Sequence, residues 1–299
     1  MFQLLSLLSG LLLAIMIFIN GRLTVQVGVF QATAIIHAVG AVFAFVVCLI
    51  RKEKPLPKSH SPWWFYLGGV VGVFTAVFNN FSFGKISLTS IVALNLLGQA
   101  LFSIVIDMTG WFGMTRRPVS KSSGIGLLFC LAGIVMMLDQ TVLDASLAVW
   151  FSLLTGISIV VSRSINARLA ERIGALPGSF VNHIAGFPVT VLLAIWAAEK
   201  LPLIQFDNPW SFWIYTGGIL GVGGVVLFNI LVPKISQFSL TVLTFVGQIF
   251  TSFIIDLATG QTVDDASFTG ALVISAGIAL NLLIEFYSSR KNKKSSAPN

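Results

Sequence analysis

The strongest constraint on the fold of this chain is an internal duplication of its sequence. The segment Asn20-Gly21-Arg22-Leu23 recurs 146 positions later as Asn166-Ala167-Arg168-Leu169. The same offset relates Gly10, Gly28, His37 and Gly40 to Gly156, Gly174, His183 and Gly186. A second offset, of 149 positions, relates twelve further residues of the two halves. In the first half they are Trp64, Tyr66, Gly68, Gly69, Gly72, Asn80, Lys85, Ile86, Ser87, Gly98, Gln99 and Asp107. Their counterparts, in the same order, are Trp213, Tyr215, Gly217, Gly218, Gly221, Asn229, Lys234, Ile235, Ser236, Gly247, Gln248 and Asp256. So many matches in a fixed register indicate two homologous halves.

Each half is too apolar to be a water-soluble domain. Hydrophobic residues make up 56 % of the chain and charged residues only 10 %, whereas a soluble domain carries about 25 % charged residues. Many apolar runs reach the roughly 20 residues that an α-helix needs to cross a bilayer. The net charge of +7 comes from cations in short loops and the tail, where they set membrane topology. The sequence therefore predicts a lipid bilayer, and no nucleic acid, as a partner.

The apolar runs predict an all-α integral membrane protein with ten transmembrane helices. They divide the chain into a first five-helix repeat (1–140), a second five-helix repeat (141–287) and a basic cytoplasmic tail (288–299). The predicted spans are 3–19, 31–50, 64–83, 87–108 and 122–138 in the first repeat and 147–165, 177–198, 210–231, 237–258 and 268–287 in the second. Because five is odd, the second repeat must enter the membrane from the opposite side, which predicts an inverted repeat.

Loop charges predict the orientation of this inverted repeat. With the N-terminus inside, fourteen Lys and Arg residues fall in cytoplasmic segments, and three, Arg22, Lys85 and Lys200, fall outside. Cytoplasmic loops of membrane proteins carry such an excess of cations. We therefore expect both termini in the cytoplasm.

Motifs of enzymes, metal sites and ATP-driven pumps are missing from the sequence. It contains no GxxxxGK[ST] phosphate-binding loop and no GxSxG segment with triad partners. His37, His60 and His183 are far apart, and Cys48 and Cys130 lie singly in apolar runs without metal-ligand spacing. The sequence thus predicts neither enzymatic activity nor a cofactor nor a metal.

Polar residues inside apolar spans are the candidate site residues, because they are expensive to place in a membrane. Arg22 and Arg168 follow the first and sixth spans at equivalent positions. In one interpretation they face a water-filled cavity, where they bind a substrate carboxylate or phosphate or lock a gate. In the other they are interfacial arginines whose charged ends reach the lipid headgroups.

Asp107 and Asp256 are candidates for a gate or a coupling site. The predicted topology places Asp256 near Arg22 at the outer face and Asp107 near Arg168 at the inner face, which suggests two ion pairs between the repeats. The alternative is a helix-end acid in the headgroup zone. The functional interpretation predicts that neutralising either acid abolishes solute accumulation while expression stays intact, and normal uptake in both variants would contradict it.

Uncharged polar residues inside the spans form a further matched group. They are Asn20, His37 and Gln99 in the first repeat and Asn166, His183 and Gln248 in the second. Such side chains either line a substrate cavity or join neighbouring helices by hydrogen bonds. Histidine titrates near neutral pH, which makes protons a candidate coupling ion. No Glu lies in the middle of a span, and this favours a neutral, zwitterionic or anionic substrate over a lipophilic cation.

Two sets of glycines have the spacing of helix-packing motifs. They are Gly68, Gly69 and Gly72 in the first repeat and Gly217, Gly218 and Gly221 in the second. Small residues at such spacing let helix backbones approach closely. We therefore expect these glycines to pack against neighbouring helices rather than to contact substrate.

The repeated segments resemble the YdcZ-like family of the drug/metabolite transporter (DMT, EamA-like) superfamily, in its fused two-repeat form. The resemblance rests on three motifs of the first repeat: N-G-R-L followed by Gly28, His37 and Gly40; P-W-W before G-G-x-x-G; and G-Q followed by Asp107. It covers residues 5–140 and 147–287. It implies a multi-pass protein of the bacterial inner (plasma) membrane that works by alternating access. It does not imply a particular substrate.

The second repeat departs from this pattern at two positions. Ala167 and Pro233 stand where the first repeat has Gly21 and Gly84. The two halves are therefore expected to contribute unequally to the site.

Together these features predict a secondary transporter that moves a small organic metabolite or drug, without ATP, through a cavity at the bilayer midplane between the repeats. Since one chain contains both repeats, it is expected to act as a monomer or a homodimer. The alternative is a membrane scaffold or accessory subunit without transport of its own, although the short loops offer no obvious surface for a partner. A membrane-embedded enzyme is disfavoured, because no nucleophile, metal site or acid pair clusters on one helix face.

Overall fold

The computed structural model describes residues 1–56, 61–117, 121–137, 145–197 and 211–260, together with 268–270, 272–277, 280 and 284. The predicted cytoplasmic tail (288–299), His60 and Lys200 lie outside the described residues. The secondary-structure elements within the described residues are helical, which confirms the predicted all-α class. The α-helices are α1 (Phe2–Val27), α2 (Val29–Ile50), α3 (Gly68–Ser82), α4 (Leu88–Thr109), α5 (Lys121–Met137), α6 (Ser146–Ile173), α7 (Ala175–Trp196), α8 (Gly217–Leu231) and α9 (Gln237–Ala258).

Eight elements are long and apolar enough to cross a membrane. They are α1, α2, α4, α6, α7 and α9, together with α3 and α8 when each is joined to the 3₁₀ turn before it, as Trp63–Ser82 and Ser211–Leu231. The fifth and tenth predicted spans coincide with shorter apolar helices, Gly124–Met136 within α5 and Phe268–Gly277. Eight of the ten predicted spans are thus confirmed as helices of membrane-crossing length, and a crossing by the other two stays a prediction.

Single glycines end α1 and α6 well beyond the predicted limits of their spans. The two helices continue past residues 19 and 165 to Val27 and Ile173. Gly28 and Gly174 follow with φ angles of 91° and 101°, a conformation that is open to glycine but strained for residues with a Cβ. Because α2 and α7 begin at the next residue, each glycine alone forms the break between two helices.

Glycines also let helices of opposite halves touch backbone to backbone. A Cβ on Gly10 in α1 would collide with the backbone of Thr244 in α9, and a Cβ on Gly247 in α9 would collide with that of Leu7 in α1. The crossing of α4 and α6 is built in the same way: Gly98 faces the backbone of Leu153, and Gly156 faces that of Asn95. The two crossings are repeat-related, so the duplicated glycines hold the halves together.

The predicted packing glycines of α3 and α8 make further contacts between the halves. A Cβ on Gly68 would collide with the side chain of Asn166, and one on Gly217 would collide with that of Asn20. The next glycine in each set is equally tightly packed. A Cβ on Gly69 would collide with the backbone of Asn182, and one on Gly218 would collide with the backbone of Ile36. Close packing is therefore confirmed for these four glycines.

Gly72 and Gly221, the third members of these two sets, have more room. A Cβ on Gly72 would lie 3.5 Å from Oγ of Ser162, which is ordinary van der Waals contact. Both glycines line a central cavity. The expected packing role is wrong for Gly72, because the helices separate at this level to leave space. Gly221 still packs closely, since a Cβ there would lie 3.3 Å from Nε2 of His183.

Candidate functional site

The central cavity has a volume of about 130 Å³ and takes its walls from both halves of the chain. Helices α1, α2 and α3 of the first half and α6, α7, α8 and α9 of the second contribute side chains to it. A concave site of this kind between helices, with a few convergent polar groups, is where a small ligand binds in a helical protein.

The cavity has a polar wall and an apolar wall. The polar wall consists of Thr75, Asn79, Ser162, Arg163, Asn166 and Asn182, on α3, α6 and α7. The apolar wall consists of Leu13, Met16, Ile17, Ile36, Val225 and Phe228, on α1, α2 and α8. The apolar wall is not purely hydrocarbon, because Asn20, His37 and Asn229 on the same three helices also line the cavity. The Phe228 ring of this wall lies 5.6 Å from Cζ of Arg163.

The difference between the walls arises at repeat-equivalent positions. The polar residues Thr75, Asn79, Ser162, Arg163 and Asn182 correspond to Gly224, Phe228, Met16, Ile17 and Ile36. The duplication thus preserved the positions that line the cavity while their chemistry diverged. The halves line it unequally, as expected, but through these positions rather than through Ala167 or Pro233.

Arg163 is the charged residue of the polar wall, and it is only 2 % exposed. Its Nε donates a hydrogen bond to Oε1 of Gln237 at 2.7 Å, and its Nη1 donates to Oε1 of Gln99 at 3.3 Å. Its Nη2 donates to Oγ1 of Thr241, Oγ of Ser103 and the carbonyl oxygen of Gln237, at 2.7, 3.1 and 3.1 Å. All these acceptors are neutral, so they orient the guanidinium without cancelling its charge.

Arg163 was not predicted from the sequence, because the candidate residues were polar residues that match between the halves. The counterpart of Arg163 is Ile17, so no such match exists. The signal that could have found it is the segment Ser162-Arg163-Ser164 inside the predicted span 147–165. A charged residue within a membrane span is a functional candidate whatever its counterpart carries.

His37 and His183 lie together at the cavity, with ring centroids 5.6 Å apart. Nδ1 of His37 is 3.4 Å from the carbonyl oxygen of His183, and Nδ1 of His183 is 2.9 Å from that of Ser179. Glycines of the opposite half make room for both rings, because a Cβ on Gly40 would collide with His183 and one on Gly186 with His37. The repeated His and Gly positions are thus partners in one reciprocal contact.

Asn20, Asn166 and Gln248 also line the central cavity. Nδ2 of Asn166 donates a hydrogen bond to Oδ1 of Asn182 at 2.7 Å. Oδ1 of Asn20, Oδ1 of Asn229 and Nε2 of Gln248 are buried and have no hydrogen-bond partner in the part of the chain that the structure describes. An unsatisfied buried polar atom costs about 1–3 kcal/mol, and these three atoms are closed off from the cavity space, since Oδ1 of Asn20, for example, packs against Gly217 of α8.

Gln99, Arg22 and Arg168 are not brought into the central cavity. Gln99 is buried beside Arg163, and Arg22 is exposed on α1. Arg168 forms an ion pair with Glu171 and lines a separate cavity of about 40 Å³ at one end of the bundle. The two arginines follow the cavity-lining asparagines by two residues, and two residues correspond to about 200° of rotation around an α-helix. They consequently point away from the cavity.

Asp107 and Asp256 bind the N-termini of helices in the opposite half. The carboxylate of Asp107, near the end of α4, accepts hydrogen bonds from the backbone N–H groups of Gln237 and Phe238 at 3.1 and 3.0 Å. These residues form the first turn of α9. The arrangement satisfies N–H groups that have no partner within the helix and places a negative charge at the positive end of its dipole.

The carboxylate of Asp256 makes the reciprocal contact at the start of α4. It accepts from the backbone N–H groups of Leu88 and Thr89 at 3.2 and 2.9 Å, and from the Thr89 hydroxyl at 2.6 Å. The predicted ion pairs of Asp256 with Arg22 and of Asp107 with Arg168 are therefore wrong, because helix N-termini occupy both carboxylates. Instead, the two acids join α4 and α9 at both ends.

The residues that line the central cavity are of mixed chemistry. They offer amide, hydroxyl, imidazole and guanidinium groups beside apolar side chains. Among the described residues, no group of three His, Cys, Asp or Glu side chains could hold a metal ion.

Comparison with known proteins agrees with a membrane protein of this architecture. The model of a family described as "Putative inner membrane exporter, YdcZ" matches residues 1–136 and 147–280. No curated protein matches the sequence. One solved crystal structure is similar over 95 % of this chain and 96 % of its own, with a TM-score of 0.68 and 16 % sequence identity. At that identity the similarity shows the fold alone.

Proposed function

The chain belongs to the YdcZ family of inner membrane exporters, and from this premise we propose that it is a secondary transporter that moves a small organic solute by alternating access. The observation that carries the proposal is the central cavity, whose walls come from both halves and carry polar side chains inside the membrane-spanning helices. Such a cavity serves a solute that enters and leaves, and a membrane scaffold has no need of one. The protein is a multi-pass inner membrane protein, and its solute crosses that membrane.

The reciprocal contacts between the halves support an inverted repeat as the moving machinery. Asp107 binds the start of α9 just as Asp256 binds the start of α4. Reciprocal contacts of this kind are produced by a two-fold relation, and an axis in the membrane plane relates inverted transporter repeats. In this proposal the two acids act as gates at opposite ends of the bundle. Opening the cavity to one side releases one acid from its helix, while the other stays bound.

The histidine pair is the carrier that we propose for a coupling proton. At a centroid separation of 5.6 Å, two imidazolium ions would repel each other, so the pair holds one proton at a time. Arg163 is the charged group that lines the same cavity. Replacing both His37 and His183 by Asn is expected to preserve passive exchange of solute while transport stops responding to an imposed pH gradient. Proteoliposomes with an imposed pH step of about two units provide the measurement, and an unchanged response would rule the pair out.

Transport through the cavity is tested by filling it. In Gly72→Phe the new Cβ has ordinary contacts at 3.5 Å or more, and the ring beyond it occupies the cavity. Gly124→Phe is the matched control, because a Cβ on Gly124 in α5 meets nothing within 4 Å. We expect both variants to fold, and only Gly72→Phe to lose solute movement by at least about tenfold, as a blocked binding site requires.

Because the solute is not named in advance, the assay uses proteoliposomes loaded with a small-molecule extract of bacterial cells. Mass spectrometry then identifies the solutes that leave faster than from empty liposomes. A solute released by the wild type and by Gly124→Phe, but not by Gly72→Phe, supports the proposal. If no solute distinguishes the wild type from empty liposomes, or if Gly72→Phe releases it normally, transport through this cavity is excluded and the scaffold alternative is favoured.

A further inference from the structure

We propose that the central cavity binds amphiphilic organic anions, with Arg163 as the counter-charge for an oxyanion and the apolar wall as the seat of a compact hydrophobic body. This inference rests on the proposed transport function and specifies its substrate class.

The charge balance of the cavity favours an anion. Arg163 lines the cavity, and none of the described residues that line it is an Asp or a Glu. Asp107 is the acid that interacts with the Arg163 charge over a longer distance. Its carboxylate oxygens are already bonded to the N–H groups of Gln237 and Phe238, and it does not line the cavity. An anionic group in the cavity would therefore supply the close counter-charge that the protein itself does not provide.

Donors for an oxyanion remain available at the polar wall. A guanidinium has five N–H groups, and Nη1 of Arg163 spends only one of its two on a long bond of 3.3 Å to Gln99. Hydrogen bonds from charged donors to an oxyanion are about twice as strong as bonds between neutral groups. A carboxylate, sulfonate or phosphate end would use donors that a neutral or cationic solute leaves idle.

The apolar wall and the size of the cavity limit the rest of the ligand. Leu13, Met16, Ile17 and Phe228 present hydrocarbon to the solute. The volume of about 130 Å³ is slightly smaller than an engineered apolar cavity of about 150 Å³ that binds benzene. Because this volume also has to hold the anionic end, the hydrophobic body is at most about the size of a six-carbon chain or one aromatic ring.

Divergence of the repeats makes the site directional. The position of Arg163 is occupied in the other half by Ile17, so the cavity holds one cation rather than a symmetric pair. The anionic end of a ligand is thereby directed to Arg163 on α6, and its hydrophobic end to the apolar side chains around Leu13 and Ile17 on α1.

Charge selectivity is measured with four probes of defined chemistry on the full chain, purified in an uncharged detergent at constant ionic strength. Hexane-1-sulfonate carries both features, methanesulfonate only the charge, hexanamide only the chain, and hexyltrimethylammonium the opposite charge. We expect hexane-1-sulfonate to raise the melting temperature with an apparent affinity at least about tenfold above those of the other three, since a tenfold preference needs only one well-formed charged contact. The cavity-filled variant Gly72→Phe should lose this response, which separates binding in the cavity from binding to the surface.

Three further variants, two at Arg163 and one at Ile17, test which residues bind the charge and which bind the chain. Arg163→Gln should remove the preference for hexane-1-sulfonate over hexanamide, and Arg163→Lys should keep part of it. Ile17→Thr should weaken the binding of hexane-1-sulfonate and leave methanesulfonate unaffected. If an Arg163 variant does not fold, the ranking of the four probes on the wild type still decides.

Equal or stronger binding of hexanamide or hexyltrimethylammonium would overturn the inference, as would unchanged anion binding in Arg163→Gln or no response to any of the four probes. None of these results touches the Gly72→Phe transport assay. A transporter of neutral or cationic solutes would pass that assay and fail this one, so the two proposals can fail separately.

Discussion

Replacing Gly98 by valine is expected to prevent α4 from packing against α6 and to remove most of the folded protein. A Cβ at this position would collide with the carbonyl oxygen of Leu153 and lie 3.2 Å from Cα of Gly156. The obstacle is backbone, which cannot rotate away as a side chain can. Overpacking a core costs about 1–3 kcal/mol and occasionally more, and a collision with backbone belongs at the upper end or beyond it.

The measurement is the yield of monodisperse protein by size-exclusion chromatography in mild detergent, followed by the melting temperature. Gly124→Val is the matched control, because it adds the same side chain in α5, where a Cβ meets nothing within 4 Å. The repeat-related variant Gly247→Val should behave like Gly98→Val, since it faces the backbone of Leu7. A monodisperse Gly98→Val with the melting temperature of Gly124→Val would show that the two helices do not cross at this point.

Replacing Asp107 or Asp256 by alanine is expected to destabilise the protein by about 2 kcal/mol or more, because buried backbone N–H groups lose a charged acceptor. Asparagine keeps one acceptor oxygen and should cost less. The acids lie near opposite ends of α4 and α9, so the effects of the two alanine substitutions should add. Thermal unfolding of the purified variants measures this.

Glu171→Ala is the control for loss of a carboxylate. Glu171 is 39 % exposed in its ion pair with Arg168, and exposed ion pairs contribute at most about 1 kcal/mol. The sequence-based expectation was that neutralising either acid leaves expression intact. The structure predicts instead that transport and stability fall together, and an Asp107→Ala protein with wild-type stability would contradict the capping role.

The sequence by itself determined the class of protein, the duplication and the positions of eight membrane-length helices. These features are local, since each depends on a run of apolar residues or on an offset that can be read along the chain. His37, His183, Asn20, Asn166 and Gln248 were also selected from the sequence, because polar groups within an apolar span stand out without knowledge of the fold, and the structure places all five at one cavity. Their role in binding a substrate stays a prediction.

Only the tertiary structure decided which side chains meet. Asp107 and Asp256 were placed near arginines by topology, yet helix N-termini from the opposite half bind them. Gly72 shares its sequence motif with Gly68 and Gly69, but lies where the helices part. The symmetry of the repeats also concealed Arg163, since its counterpart is Ile17. Contacts between helices depend on where each helix ends and which face it turns inward, and neither property is contained in a matched pair of residues.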